Sequence, residues 1–180
     1  MKTRFFTSVA ALALVAGTAQ AQDLLFPVGE GDFNWDSYQA FADATDLSGQ
    51  TVTITGPWTG LDAELFESMA AYFEAATGAT VEYSGSDSFE QDIVIATQAD
   101  SPPNIAVFPQ PGLMTDLAAQ GELAAMGEDT AAWIAENYAA GPSWVSLATA
   151  AGPDGTDALY GFFYKVDVKS LVWYSPDNFD

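Results

Sequence analysis

The 180 residues carry 25 Asp and Glu against 4 Lys and Arg, with neither cysteine nor histidine. That composition removes the thiol nucleophile, the thiolate metal site, the commonest general base and any Ser-His-Asp or Cys-His catalytic system, so only carboxylate chemistry remains open. Nucleic acid and anionic lipid are excluded as partners because both are held by clustered basic side chains, and the excess negative charge reads as solubility. With 49 % hydrophobic and 13 % aromatic residues, the chain can hold together by core burial without disulfides.

Met1-Lys2-Thr3-Arg4 brings two positive charges, residues 5–15 are apolar, and Ala19-Gln20-Ala21 supplies the small residues that a signal peptidase accepts. A cleavable signal peptide over 1–21 is therefore expected. The competing reading, a membrane anchor, needs roughly 20 apolar residues. This run is about half that length and no later segment reaches it, so no stable membrane insertion is expected. Cleavage after Ala21 leaves two cations, Lys165 and Lys169.

Residues 22–50 form an acidic lead-in bearing Phe26, Phe33, Trp35, Tyr38 and Phe41, closed by the turn signal Ser48-Gly49. The β-branched run Thr51-Val52-Thr53-Ile54-Thr55 predicts a strand that Gly56-Pro57 stops. Leu61, Leu65, Met69, Tyr72, Phe73 and Ala76 recur at steps of three and four, one face of a helix that Gly78 caps. Thr80-Val81-Glu82-Tyr83 predicts a second strand. Ser88 with Gln91 three positions on reads as a capping box for a helix to about Gln98. Ser101-Pro102-Pro103 breaks that helix, residues 104–108 predict a short buried strand, and Pro111-Gly112 leads a helix ended by Gly121. Helical spacing returns over 130–138, Gly152-Pro153-Asp154-Gly155 is a turn, and 160–175 is aromatic and β-rich. Alternation of this kind predicts an α/β domain with a mostly parallel sheet flanked by helices.

Ligands of open α/β sheets gather outside the carboxyl ends of the strands. Three loops there carry Trp58, Asp87 and Gln110. An indole covering the C–H face of a sugar ring, with a carboxylate and an amide to hydrogen-bond its hydroxyls, suits a neutral polyhydroxylated ligand. The absence of Lys and Arg from these loops argues against phosphate. Two of these also have a structural reading, Trp58 packing its loop and Asp87 or Ser88 capping a helix, whereas Gln110 between two prolines has no obvious core role. Lys165 and Lys169, near Tyr164, Asp167 and Trp173, either pair with carboxylates or reach a ligand. Asp154 and Asp157 lack the ordered spacing of a calcium loop and read as a solvated turn.

The segments FPVGEGDFNWDSYQAF, VTITGPWTGLDAELF, YFEAATGATVEYSGSDSFEQDI, SPPNIAVFPQPGL and YGFFYKVDVKSLVWYS resemble the extracellular solute-binding proteins of ABC importers. The likeness is to the maltose-binding-protein-like family and nearest to its α-glucoside-binding branch. It implies the N-terminal portion of a two-lobe periplasmic binding protein fold, with 51–180 as an incomplete first lobe and the second lobe absent. It further implies a non-catalytic protein without cofactor or metal that binds a disaccharide or oligosaccharide in a cleft and delivers it to permease subunits. The family's first-lobe contacts carry over to Trp58, Asp62, Asp87, Gln110, Tyr164 and Lys165. A departure is Phe163, where the family pattern has proline, which loosens the alignment of Tyr164 and Lys165.

Two alternatives from other classes stay open, a secreted glycoside hydrolase built on two carboxylates and an acidic interaction module. Because a mature chain without cysteine cannot start on a lipid-bearing cysteine, the export signal points to a Gram-negative periplasm.

Overall fold

A computed structural model describes residues 24–166 and Ser175. The expected signal peptide and the stretch holding Asp167, Lys169 and Trp173 lie outside the described residues. Contacts divide the chain into two compact units. One comprises the chain up to Gln50 with Leu65–Val81, and the other Thr51–Glu64 with the chain from Glu82 onward.

In the first unit the lead-in contains a helix. Helix α1 spans Trp35–Ala44, with Asn34 Oδ1 accepting a hydrogen bond from Ser37 N at the N-cap. The cap satisfies one of the amide protons that a helix start leaves without a partner. No residue of α1 is buried. Its aromatic side chains instead contact one another: Trp35 lies 5.4 Å from Phe33 at 64°, 5.7 Å from Tyr38 at 89° and 6.1 Å from Tyr72 at 33°. The Tyr72 hydroxyl donates to Phe26 O and accepts from Phe26 N, so one side chain fastens both polar groups of a peptide residue. Burial, reinforced by Tyr72, raises the Tyr38 hydroxyl above its ordinary pKa. Gly78 adopts φ +73 and its N–H reaches Glu74 O at 2.8 Å, the left-handed stop expected of a glycine after a helix.

Strand β1 spans Thr51–Gly56, helix α2 Leu61–Thr77, strand β2 Thr80–Gly85, helix α3 Phe89–Gln98 and strand β3 Ile105–Ala106. The three strands form one sheet in the order β2-β1-β3, with β1 parallel to β3 through Ile54 opposite Ile105 and Thr55 opposite Ala106. Helix α4 spans Pro111–Gln120, α5 Glu128–Asn137 and α6 Gly141–Ala148, and strands β4 Thr149–Ala151 and β5 Asp157–Leu159 close an antiparallel pair. The α/β architecture with a parallel sheet flanked by helices is thus present.

Two local expectations need correction, the strand over 104–108 and the capping box at Ser88. The strand over 104–108 shrinks to two residues and Ile105 is half exposed. Pro102 and Pro103 offer no N–H to a ladder, so Asn104 extends the pairing with its side chain. Its Oδ1 accepts from Thr53 N and Thr53 Oγ1, while its own N–H donates to Thr53 Oγ1. The capping box at Ser88 does not form, since that side chain makes no cap bond. Ser86 Oγ accepts from Ser88 N and donates to Asp92 Oδ2 instead. On α2 the apolar positions Leu61, Leu65 and Met69 are at least half exposed. The β-rich stretch expected over 160–175 lies largely outside the described residues, of which 160–166 carry no strand, and the helix α6 and the β4–β5 pair were not expected.

Two buried clusters hold the second unit. Phe89, Ile93 and Leu117 pack with Phe108, Leu113 and Leu123, and the Phe89 and Phe108 rings cross at 79° with centroids 5.5 Å apart. Ile134, Ala148 and Leu159 pack with Trp144, Val145 and Phe163. Gly121 ends α4 in the left-handed conformation at φ 83, as its position in the sequence predicts. Across the β4–β5 turn Asp154 Oδ1 accepts from Thr156 N at 2.9 Å, which lowers the Asp154 pKa. The carboxylate thus serves the turn, and among the described residues no group of three or more acidic side chains could hold a metal ion.

Candidate functional site

The sheet order puts the β1 loop between the other two, because β1 is the central strand. After Gly56 ends β1, the chain crosses Pro57-Trp58-Thr59-Gly60 before α2 starts at Leu61. Trp58 is half-buried. Its indole lies 6.4 Å from the Tyr83 ring at 29°, a stacked pair, and 5.6 Å from the Tyr164 ring at 85°, an edge contact. Offset stacking and edge-to-face contacts are the arrangements that the ring quadrupoles favour. The three rings therefore fix an indole at the carboxyl end of the central strand.

The loop's backbone is fastened as tightly. Trp58 N donates to Tyr83 Oη at 3.0 Å, and Tyr83 Oη donates to Trp58 O at 3.1 Å. This repeats, in the second unit, the device that Tyr72 applies to Phe26.

Asp87 sits in the turn between β2 and α3 and is exposed, with Oδ1 accepting from Thr59 Oγ1 at 3.5 Å. The β2 loop thereby meets the β1 loop side chain to side chain. At that distance the bond is weak, which leaves the carboxylate's acceptor capacity largely unused. Gln110 follows β3 at the N-cap position of α4 without a cap bond. Its Nε2 donates to Glu90 Oε1 at 3.0 Å, on the first turn of α3. This bond assigns the amide's orientation and leaves its Oε1 as an acceptor and one N–H as a donor.

The residues expected from the sequence are thus partly drawn together. Trp58 and Tyr164 are in ring contact, Asp87 reaches the Trp58 loop through Thr59, and Gln110 is tied to α3 through Glu90. Asp62 lies exposed in the first turn of α2 together with Glu64. There a negative charge also favours the helix, whose N-terminus is electropositive. Lys165 is exposed and follows Tyr164 in a segment without regular structure. Sequence reasoning missed Tyr83 and Glu90. Tyr83 looked like an ordinary strand aromatic and Glu90 like an ordinary first-turn acid, and only the fold brings them to Trp58 and Gln110.

The three loops carry an indole, a carboxylate, an amide and hydroxyls, and no cation. Such a surface can stack on an apolar ring face and hydrogen-bond neutral hydroxyls. Among the described residues no helix is long and apolar enough to cross a membrane.

No family model matches the chain. It is 55 % identical, over 187 aligned positions covering 100 % of its length, to the alpha-glucosides-binding periplasmic protein AglE of Rhizobium meliloti. It is 40 % identical over 135 positions, 74 % of its length, to the osmoprotective compounds-binding protein GgtB of Synechocystis sp.. The chain spans 41 % of the first relative's length and 30 % of the second's.

Proposed function

Because the chain belongs to the ABC-importer solute-binding proteins, in their α-glucoside-binding branch, we propose that the full-length protein binds an α-glucoside in the periplasm. A disaccharide of the maltose, trehalose or sucrose kind is the proposed ligand, passed on to the permease subunits of the importer. The observation that carries this reading is the Trp58 indole, held by Tyr83 and Tyr164 at the end of the central strand. Asp87 and Gln110 stand on the two neighbouring strand ends. An indole gives a sugar an apolar face, and its hydroxyls require acceptors such as a carboxylate and an amide oxygen. Asp62, Tyr164 and Lys165 are proposed to add contacts at the rim. A second lobe closing on the bound sugar would supply the remaining contacts, and differential affinity for the closed form would drive that closure.

The relationship to a protein named for osmoprotective compounds places compatible solutes beside the disaccharides as ligands to be tested. In a titration of the full-length mature protein followed by tryptophan fluorescence, at least one α-glucoside should give a saturable change. A folded protein that responds to none of them contradicts the proposal. The same preparation should not turn over nitrophenyl α-glucosides, since sustained release of nitrophenol requires the hydrolase reading instead.

A further inference from the structure

Resting on the sugar-binding reading, we infer that Tyr83 is a positioning residue for ligand binding, acting through Trp58 rather than by touching the ligand. Its hydroxyl accepts from the N–H of Trp58 and donates to its C=O. One side chain thus sets the height and tilt of the loop that carries the indole, and its ring stacks beside that indole at 29°.

Two glycines make the arrangement possible, and neither lies in the left-handed region, so backbone freedom does not explain them. A Cβ on Gly85 would fall 1.7 Å from Trp58 O, inside the carbonyl that Tyr83 bonds. A Cβ on Gly56 would come within 2.9 Å of Tyr83 Oη and 3.1 Å of Val107 Cβ. Gly56 therefore makes room for the phenol, and Gly85 for the peptide it holds. Glycine is the residue that lets two backbones, or a backbone and a side chain, approach this closely. Gly56, Trp58, Tyr83 and Gly85 form one latch, assembled from the ends of β1 and β2.

The latch predicts a specific pattern of coupling. Tyr83→Phe keeps the ring and removes the hydroxyl. In the full-length protein it should weaken α-glucoside binding about three- to tenfold, the range for lost intramolecular hydrogen bonds of this kind. In a Trp58→Ala background, where no indole remains to be positioned, Tyr83→Phe should change affinity by less than about twofold, a non-additivity that a double-mutant cycle reads directly. In the ligand-free protein the Trp58 amide should exchange with solvent about tenfold faster in Tyr83→Phe, while the core amide of Leu117 is unchanged.

The exchange measurement needs no ligand, so the two readings fail separately. A wild-type protein that binds no glucoside contradicts the sugar-binding proposal, and the latch is then decided by the exchange rates alone. An unchanged Trp58 exchange rate overturns the latch. Faster exchange with wild-type sugar affinity overturns the positioning role. Equal affinity losses in the presence and absence of the indole overturn the route through Trp58.

Discussion

Replacing Phe89 with alanine is expected to destabilise the protein by about 3–5 kcal/mol, the usual range for removing a fully buried phenylalanine. Phe89 is 1 % exposed and opens α3, where its ring packs on Phe108, Ile93 and Leu117. It joins the helix to the β3 segment and to α4, so its loss leaves a cavity with walls on three elements rather than at a collapsible edge. In urea unfolding of the full-length protein the midpoint should fall with little change in slope. Phe89→Leu, which refills much of the volume, should lose much less. A change below about 1 kcal/mol for alanine would show that the ring is not a core residue.

The second large effect is expected on binding. Trp58→Ala should reduce α-glucoside affinity about 10- to 100-fold, corresponding to the roughly 1.5–3 kcal/mol of apolar contact that an aromatic platform contributes. The substitution is unusually clean. Both hydrogen bonds to Tyr83 use the backbone of Trp58, so alanine keeps the loop fastened while the indole disappears. Stability should accordingly fall little beside the Phe89→Ala change. Trp58→Phe, with a smaller ring in the same place, should fall between alanine and the wild type. If alanine binds glucosides as tightly as tryptophan, the indole packs its loop and nothing more, which is the structural reading the sequence left open.

Strands, helices and the strand-end loops could be read from the sequence because their signals are local. Thr51-Val52-Thr53-Ile54-Thr55 is a β-branched run with a proline stop, and Gly78 and Gly121 each take the left-handed conformation that ends a helix. What escaped was set by partners distant in sequence. Helix α1 hid in an aromatic lead-in whose Trp35 and Tyr38 rings contact Tyr72, one tilted and one edge-on, rather than forming an apolar stripe. The failed capping box at Ser88 lost to Ser86, whose hydroxyl joins Ser88 N to Asp92. Both patterns match the local rule, and only the tertiary neighbours decide between them.

The candidate site shows the same division. Trp58, Asp87 and Gln110 could be picked out because the end of a parallel strand is a position that alternation alone reveals. Tyr83 and Glu90 could not, since their roles depend on which loops the sheet order makes adjacent. The cap read for Asp87 or Ser88 does not form, since α3 starts without a side-chain cap bond. Gln110 spends one donor on Glu90 and Asp87 one acceptor on Thr59, so both side chains order their loops while keeping hydrogen-bonding capacity. Helix α2 shows the limit of periodicity, because Leu61, Leu65 and Met69 share the helical spacing of the partly buried Tyr72, Phe73 and Ala76 yet are at least half exposed.

The central claim, that the indole at the end of β1 is the platform for a neutral sugar, is tested most directly by the Trp58 indole N–H resonance during an α-glucoside titration of the full-length protein. The signal is assigned by its loss in Trp58→Phe. The account predicts a saturable shift of that resonance, with the same midpoint as the fluorescence change. Saturable glucoside binding that leaves the Trp58 indole unmoved would contradict it.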